Sequence, residues 1–193
     1  MNRQDFVTLS DALDLCANEM PDINVAWPNA GMLTYRQLDD DSSRVAAGLA
    51  HIGVGLGDRV LYIGEKSPSF WEVLFACVKL GAVMVPVDQN VDSEDVDYVL
   101  EQSFATAIVR CSDCHVILNV RDAPEINVDD GWDEWKTQFA PLMEYCFVTP
   151  DTPIVEEFTF GRSDVAEYKM HTHEDWFLLW MDNRVENQNH MTR

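Results

Sequence analysis

Two groups of residues have types and spacings that can do chemistry. Cys111-Ser112-Asp113-Cys114-His115 spells Cys-x-x-Cys-His. Two thiols at that spacing followed by an imidazole can attach haem and ligate its iron. With His171 or His173 they can hold zinc, although a second cysteine pair at zinc spacing is missing. They can also cycle as a redox dithiol. Free thiols in a loop explain the run best, because it directly follows an expected core strand and haem attachment normally follows export. His171 and His173 flank a single residue, so in a strand they face one side as a possible metal pair.

The composition narrows the partners. The 193-residue chain is 47% hydrophobic and carries 13 lysines and arginines against 34 aspartates and glutamates, a formal charge of −21. A chain of this size can bury a sizeable core. The charge reads first as a well-solvated surface. It disfavours nucleic acid and anionic membrane, so neither is expected as a partner. It also opposes any anionic ligand unless local positive charge offsets it. The five cysteines, Cys16, Cys77, Cys111, Cys114 and Cys146, are odd in number and irregular in spacing, unlike a disulfide framework. Met1–Ser10 lacks the apolar core of a signal peptide. No run nears the roughly 18 apolar residues of a membrane span, so the cytoplasm is the expected compartment.

The elements that must position these residues follow from periodicity. Thr8–Met20 reads as a helix with Leu9, Ala12, Leu13 and Cys16 on one face, stopped by Pro21. Short strands at Ile23–Trp27 and Met32–Thr34 are expected around the turn Pro28-Asn29-Ala30-Gly31. Thr34 and Gln37 form a capping box for a second helix, striped by Leu38, Val45, Leu49 and Ile52 and ended by Gly53. Three units then alternate: strand Asp58–Gly64, helix Ser67–Gly81, strand Val83–Val87, helix Ser93–Gln102, strand Thr106–Arg110. That rhythm implies an α/β fold, a mainly parallel sheet flanked by helices on both faces. Beyond Arg110 the pattern weakens. A strand at Val116–Val120, a helix at Asp129–Phe139, a strand at Ile154–Thr159 and a helix at Glu174–Asn183 are expected. The organisation divides into an α/β portion over residues 1–150, then a strand, loop, helix and polar tail over residues 151–193.

Leu33 to Val109 carries a family resemblance. The opening "LTYRQL", the turn "GVGLGDRV" and the run "ACVKLGAVMVPVD" together resemble the N-terminal subdomain of adenylate-forming enzymes: acyl-CoA synthetases, peptide-synthetase adenylation domains and luciferases. The resemblance implies their α/β subdomain and a downstream phosphate loop of the form Thr-Ser-Gly-Thr-Thr-Gly-x-Pro-Lys-Gly. In such a loop glycines let the backbone approach phosphate, amides and hydroxyls bind its oxygens, and the lysine offsets charge as pyrophosphate leaves.

Residues 159–168 align with that loop without a gap, and His171-Thr172-His173 matches the histidines that follow it. Thr159, Gly161 and Ser163 remain as remnants of a phosphate-binding loop. Phe160, Arg162, Asp164, Ala166, Glu167 and Tyr168 depart from it, and Glu167 stands in place of the lysine. A like-charge pair at about 4 Å costs about 4 kcal/mol at an effective dielectric of about 20. Two such pairs would cancel a micromolar affinity of about 8 kcal/mol. Arg162 and Lys169 offset part of this, and Glu167 and Lys169 share a face if the backbone there is extended. The expectation is no cofactor, with ATP or AMP bound weakly if at all. The family's adenine-contacting segment, ribose-binding aspartate and C-terminal lid have no counterpart here, so no catalytic residue is carried over.

Trp176, Phe177, Leu179 and Trp180 lie where the resemblance implies further covering structure. They form a candidate surface for a homo-oligomer or a partner protein; core packing is the first reading of Trp132, Trp135, Trp176 and Trp180 alike. Two functions are expected from these features: a non-catalytic adenylate-forming homologue that binds a partner or small ligand, or a component of a split acyl-activating ligase completed by another chain. A decayed gene product is a third reading.

Overall fold

Thr8 and Thr34 open helices by the same reciprocal device. Thr8 Oγ1 accepts from the Asp11 amide at 3.3 Å while the Asp11 carboxylate accepts from the Thr8 amide at 3.0 Å. Thr34 and Gln37 repeat the exchange at 3.2 and 2.9 Å. Each box satisfies amides that a helix start leaves without partners. The computed structural model describes residues 8–25, 33–111, 123–159 and 167–178. In chain order the elements are α1 (Leu9–Glu19), α2 (Tyr35–His51), β1 (Arg59–Ile63), α3 (Pro68–Leu80), β2 (Val83–Val87) and α4 (Ser93–Ser103). They continue as β3 (Ala107–Arg110), β4 (Glu125–Asn127), α5 (Trp132–Thr137), β5 (Pro153–Thr159) and β6 (Glu167–Thr172). Residues 173–178 are helical.

The six strands form one sheet in the order β4-β3-β1-β2-β5-β6. β1 pairs in parallel with β2 and β3, β3 with β4, and β2 with β5; β6 returns antiparallel to β5. Alternate residues of β1 build two cores, as expected of a parallel sheet. Val60 and Tyr62 join Met84 and Val109 beneath α1, α2 and α3. Leu61 and Ile63 join Val85, Val87 and Ile108 beneath Val96 and Val99 of α4. Gly81 ends α3 at φ 67°, and a Cβ there would lie 3.1 Å from Val148. Both the left-handed backbone and the close approach require glycine.

The three expected strand–helix units stand with boundaries shifted by a residue or two. Other elements differ. Around 23–34 the described residues hold an antiparallel bridge between Asn24 and Thr34, flanked by backbone bonds from Val25 N to the Leu33 carbonyl and from Tyr35 N to the Ile23 carbonyl; residues 26–32 of the two expected strands lie outside the described set. The helix near Trp132 is shorter than expected, because Gly131 turns the backbone to φ 69° at its start. β4 has no apolar run to announce it: Glu125, Ile126 and Asn127 are joined to β3 by backbone pairing. Val116–Val120 lies outside the described residues, as do positions beyond 178 of the final expected helix. Among the described residues no helix is long and apolar enough to cross a membrane.

Candidate functional site

β5 and β6 carry the two ends of the loop that aligns with the phosphate-binding motif. Thr159 closes β5 and stands opposite Glu167, which opens β6. Gly161 and Ser163 lie outside the described residues. Because β5 runs parallel to β2, Thr159 reaches the edge of the sheet where the parallel strands end. In open α/β sheets that edge is where ligands bind. Alternation puts Glu157 and Thr159 of β5 on one face with Glu167, Lys169 and His171 of β6. Lys169 is directly opposite Glu157, yet Glu157 is taken by His171, whose Nε2 lies 3.0 Å from Oε2. Glu167, Tyr168 and Lys169 are exposed. The extended backbone therefore places Glu167 and Lys169 on one face, as expected.

The two histidines take different partners. β6 ends at Thr172, and His173 begins the helical residues 173–178. His173 is 1% exposed, and its Nδ1 accepts from the Leu9 amide at 3.2 Å, fastening the start of α1. That bond puts the ring proton on Nε2, which has no hydrogen-bond partner among the described residues. Burial holds the imidazole well down, at about 4, partly offset by Asp11. One serves Glu157, the other a helix start. Among the described residues no three His, Cys, Asp or Glu side chains gather as metal ligands. Cys77, Cys111 and Cys146 are free thiols. Cys114 and His115 lie outside the described residues.

A cavity of about 430 Å³ opens at the same sheet edge, beyond the ends of β1, β2 and β3. Its lining includes Glu65, Ser67, Ser69, Gln89, Cys111 and Trp132. Beside it, Tyr62 Oη lies 3.2 Å from Ser67 Oγ, 3.1 Å from Ser69 Oγ and 3.8 Å from Cys111 Sγ. Burial raises the Tyr62 hydroxyl and the Cys111 thiol above their ordinary values. Neutral hydroxyls and a neutral thiol are what this arrangement favours.

Sequence reasoning missed two buried cations. Lys79 is fully buried, and its Nζ donates at 2.7 Å to the Asp39 carbonyl, the Asp39 carboxylate and Ser43 Oγ. Lys136 meets Glu72 beside the cavity at 3.0 Å, and Trp132 Nε1 donates to the same carboxylate. Burial raises the Glu72 carboxyl, and Lys136 and Trp132 pull it back down. The available signal was the apolar run of α3: Glu72 and Lys79 interrupt a helix that is otherwise hydrophobic all round, so each needs a buried partner.

Trp176 and Phe177 are partly buried and pack on the larger core; Trp176 meets Trp71 edge-on at 6.2 Å. Leu178 beside them is 44% exposed. Leu179 and Trp180 lie outside the described residues.

Sheet order and the two cores are those of the N-terminal subdomain fold of acyl-CoA synthetases. The chain belongs to the AMP-binding enzyme family, whose model matches residues 14–146. It is 29% identical over 168 residues to ScoC, a fatty acid–[acyl-carrier-protein] ligase of Streptomyces coeruleorubidus, covering 79% of this chain and 32% of ScoC. An olefin beta-lactone synthetase of Stenotrophomonas maltophilia is 41% identical over 93 residues, 48% of this chain and 17% of that protein. The chain thus spans a third or less of the length of these relatives. Among solved structures, the inhibitor-bound N-terminal domain of FACL13 from Mycobacterium tuberculosis superposes with a TM-score of 0.76 at 23% identity, over 88% of this chain and 45% of that one. The Klebsiella oxytoca NpsA N-terminal subdomain in complex with 3-hydroxybenzoyl-AMSN gives 0.71 at 22%, over 87% and 41%. At such identities the likeness describes the fold.

Proposed function

We propose that this chain does not adenylate by itself and acts in the cytoplasm by binding a partner or a small ligand. Thr159, Gly161 and Ser163 are the remnants of its phosphate loop. One observation carries this reading: Glu167, aligned with the family's loop lysine, faces Thr159 across the hairpin, on the strand face that also holds Glu157. A triphosphate there meets carboxylates where its charge needs neutralising. Trp176 and Phe177, with Leu179 and Trp180 next in sequence, are the proposed partner surface. Isothermal titration with ATP tests the reading. The wild type is expected to give no measurable binding, and Glu167→Lys to gain some. Tight binding by the wild type that the substitution leaves unchanged, or pyrophosphate exchange by the chain alone, would refute it.

A second reading is supported by the lengths: the chain covers 32% of ScoC. Here it is one component of a split ligase for ATP-dependent carboxylate activation, completed by another chain. Exchange of pyrophosphate into ATP only when that second chain is added would favour this reading over the first.

A further inference from the structure

Lys169 stands apart from the other described cations. Every other described lysine and arginine has a carboxylate within 3.9 Å or, for Lys66, an aromatic ring. Lys169 has neither within that distance among the described residues, because the carboxylate across from it is bonded to His171 and the charge of Asp175 acts on it only from further away. In a chain with 34 acidic residues, a cation with no carboxylate in ion-pair contact among the described residues is a notable exception. Glu167, two residues earlier on the same strand face, is also exposed and has no ion pair among the described residues. β6 is also the end of the sheet, so its outward amides and carbonyls meet no further strand among the described residues. Tyr168, between the two charges, is 66% exposed on the opposite face, with its ring 6.1 Å from Phe158.

We propose that β6 pairs edge to edge, antiparallel, with β6 of a second copy of this chain, about a two-fold axis at Tyr168. In that register Tyr168 faces Tyr168 of the second copy. Glu167 then stands opposite Lys169 of the second copy, and symmetry repeats the pair, so one Glu-x-Lys pattern supplies two ion pairs. A lysine on an edge strand ordinarily blocks such pairing. Here the neighbouring glutamate neutralises it in this register alone. Shifting the axis by one residue sets Lys169 against Lys169 of the second copy, which like-charge repulsion disfavours. The interface is one short strand per copy, so association is weak and concentration-dependent. Each copy carries −21, and that broad repulsion is screened at about 0.15 M salt, where the Debye length is about 8 Å. The inference is independent of whether nucleotide binds.

Sedimentation velocity over concentrations up to about 1 mM, a range matched to weak association, reads the outcome. The wild type is expected to move from monomer to dimer. Glu167→Lys and Lys169→Glu are each expected to weaken dimerisation about tenfold or more, since each places two like-charge pairs across the interface. Mixing the two variants restores association, because one then presents Lys-x-Lys to Glu-x-Glu. A wild type that stays monomeric overturns the proposal. So does a dimer that neither substitution weakens, or a mixture that associates no better than the variants alone. Both positions are exposed, and circular dichroism of each variant checks that the fold is kept.

Discussion

Lys136 Nζ lies 3.0 Å from a Glu72 carboxylate oxygen, and both residues are buried. The pair ties α5 to α3 across 64 positions of sequence. Lys136→Met would strand the Glu72 charge in the core. A loss of about 3–5 kcal/mol is expected, because breaking one side of a buried pair costs more than the pair contributes. Glu72→Gln in the same chain should recover much of it. Urea denaturation of the two single variants and the double variant measures the coupling.

A glycine in mid-helix usually costs stability, yet Gly48 of α2 has a reason to stay. A Cβ there would sit 2.8 Å from Trp135 Cζ2 and 3.0 Å from Phe139. In an exposed helix Gly→Ala gains about 1 kcal/mol. Gly48→Ala is expected instead to destabilise by about 1–3 kcal/mol, as overpacking does. Thermal unfolding of the variant decides the sign.

The buried neutral state of His173 sets a pH dependence. Burial pushes its folded value from 6.5 down to about 4. Between those limits the unfolded chain binds a proton that the folded chain does not. Stability is therefore lost as pH falls through that window, by up to about 1.4 kcal/mol per unit from this group. His173→Gln keeps an acceptor for the Leu9 amide and lacks the titration. Its denaturation midpoint should vary less between pH 6.5 and 4.5 than that of the wild type.

The thiols should separate by accessibility. Cys77 is fully buried and its thiol is raised by burial; Cys111 is half-buried and also raised; Cys146 is partly exposed. Alkylation at pH 7.5 is expected at Cys146 first and at Cys111 more slowly. Cys77 should react only on unfolding, because the thiolate is the nucleophile. Peptide mass mapping over time reads the order.

Periodicity made much of this fold legible. Val83–Val87 and the alternation around it could only be strands buried on both sides, and the boxes at Thr8 and Thr34 mark helix starts by local chemistry alone. β4 was not legible, because its three residues are held by the neighbouring strand and not by their own pattern. At the candidate site, the replacement of lysine by Glu167 could be read directly from the aligned loop. The separation of His171 from His173 could not. It depends on β6 ending one residue earlier than simple alternation supposes, so that His173 enters a helix and finds Leu9, 164 positions away. The partners of Glu72 and Lys79 were equally invisible, although the need for them was not.

The central place of β1 has a kinetic consequence. Its neighbours β2 and β3 arrive through single crossovers of modest length, so the middle of the sheet can form while loop closure is cheap. β5 must instead return from more than sixty residues away to meet β2, through the single described register pair Met84–Val155. Amide hydrogens of β1 and β2 should therefore be the last to exchange with solvent, while the β5–β6 hairpin opens as a separate, earlier unit.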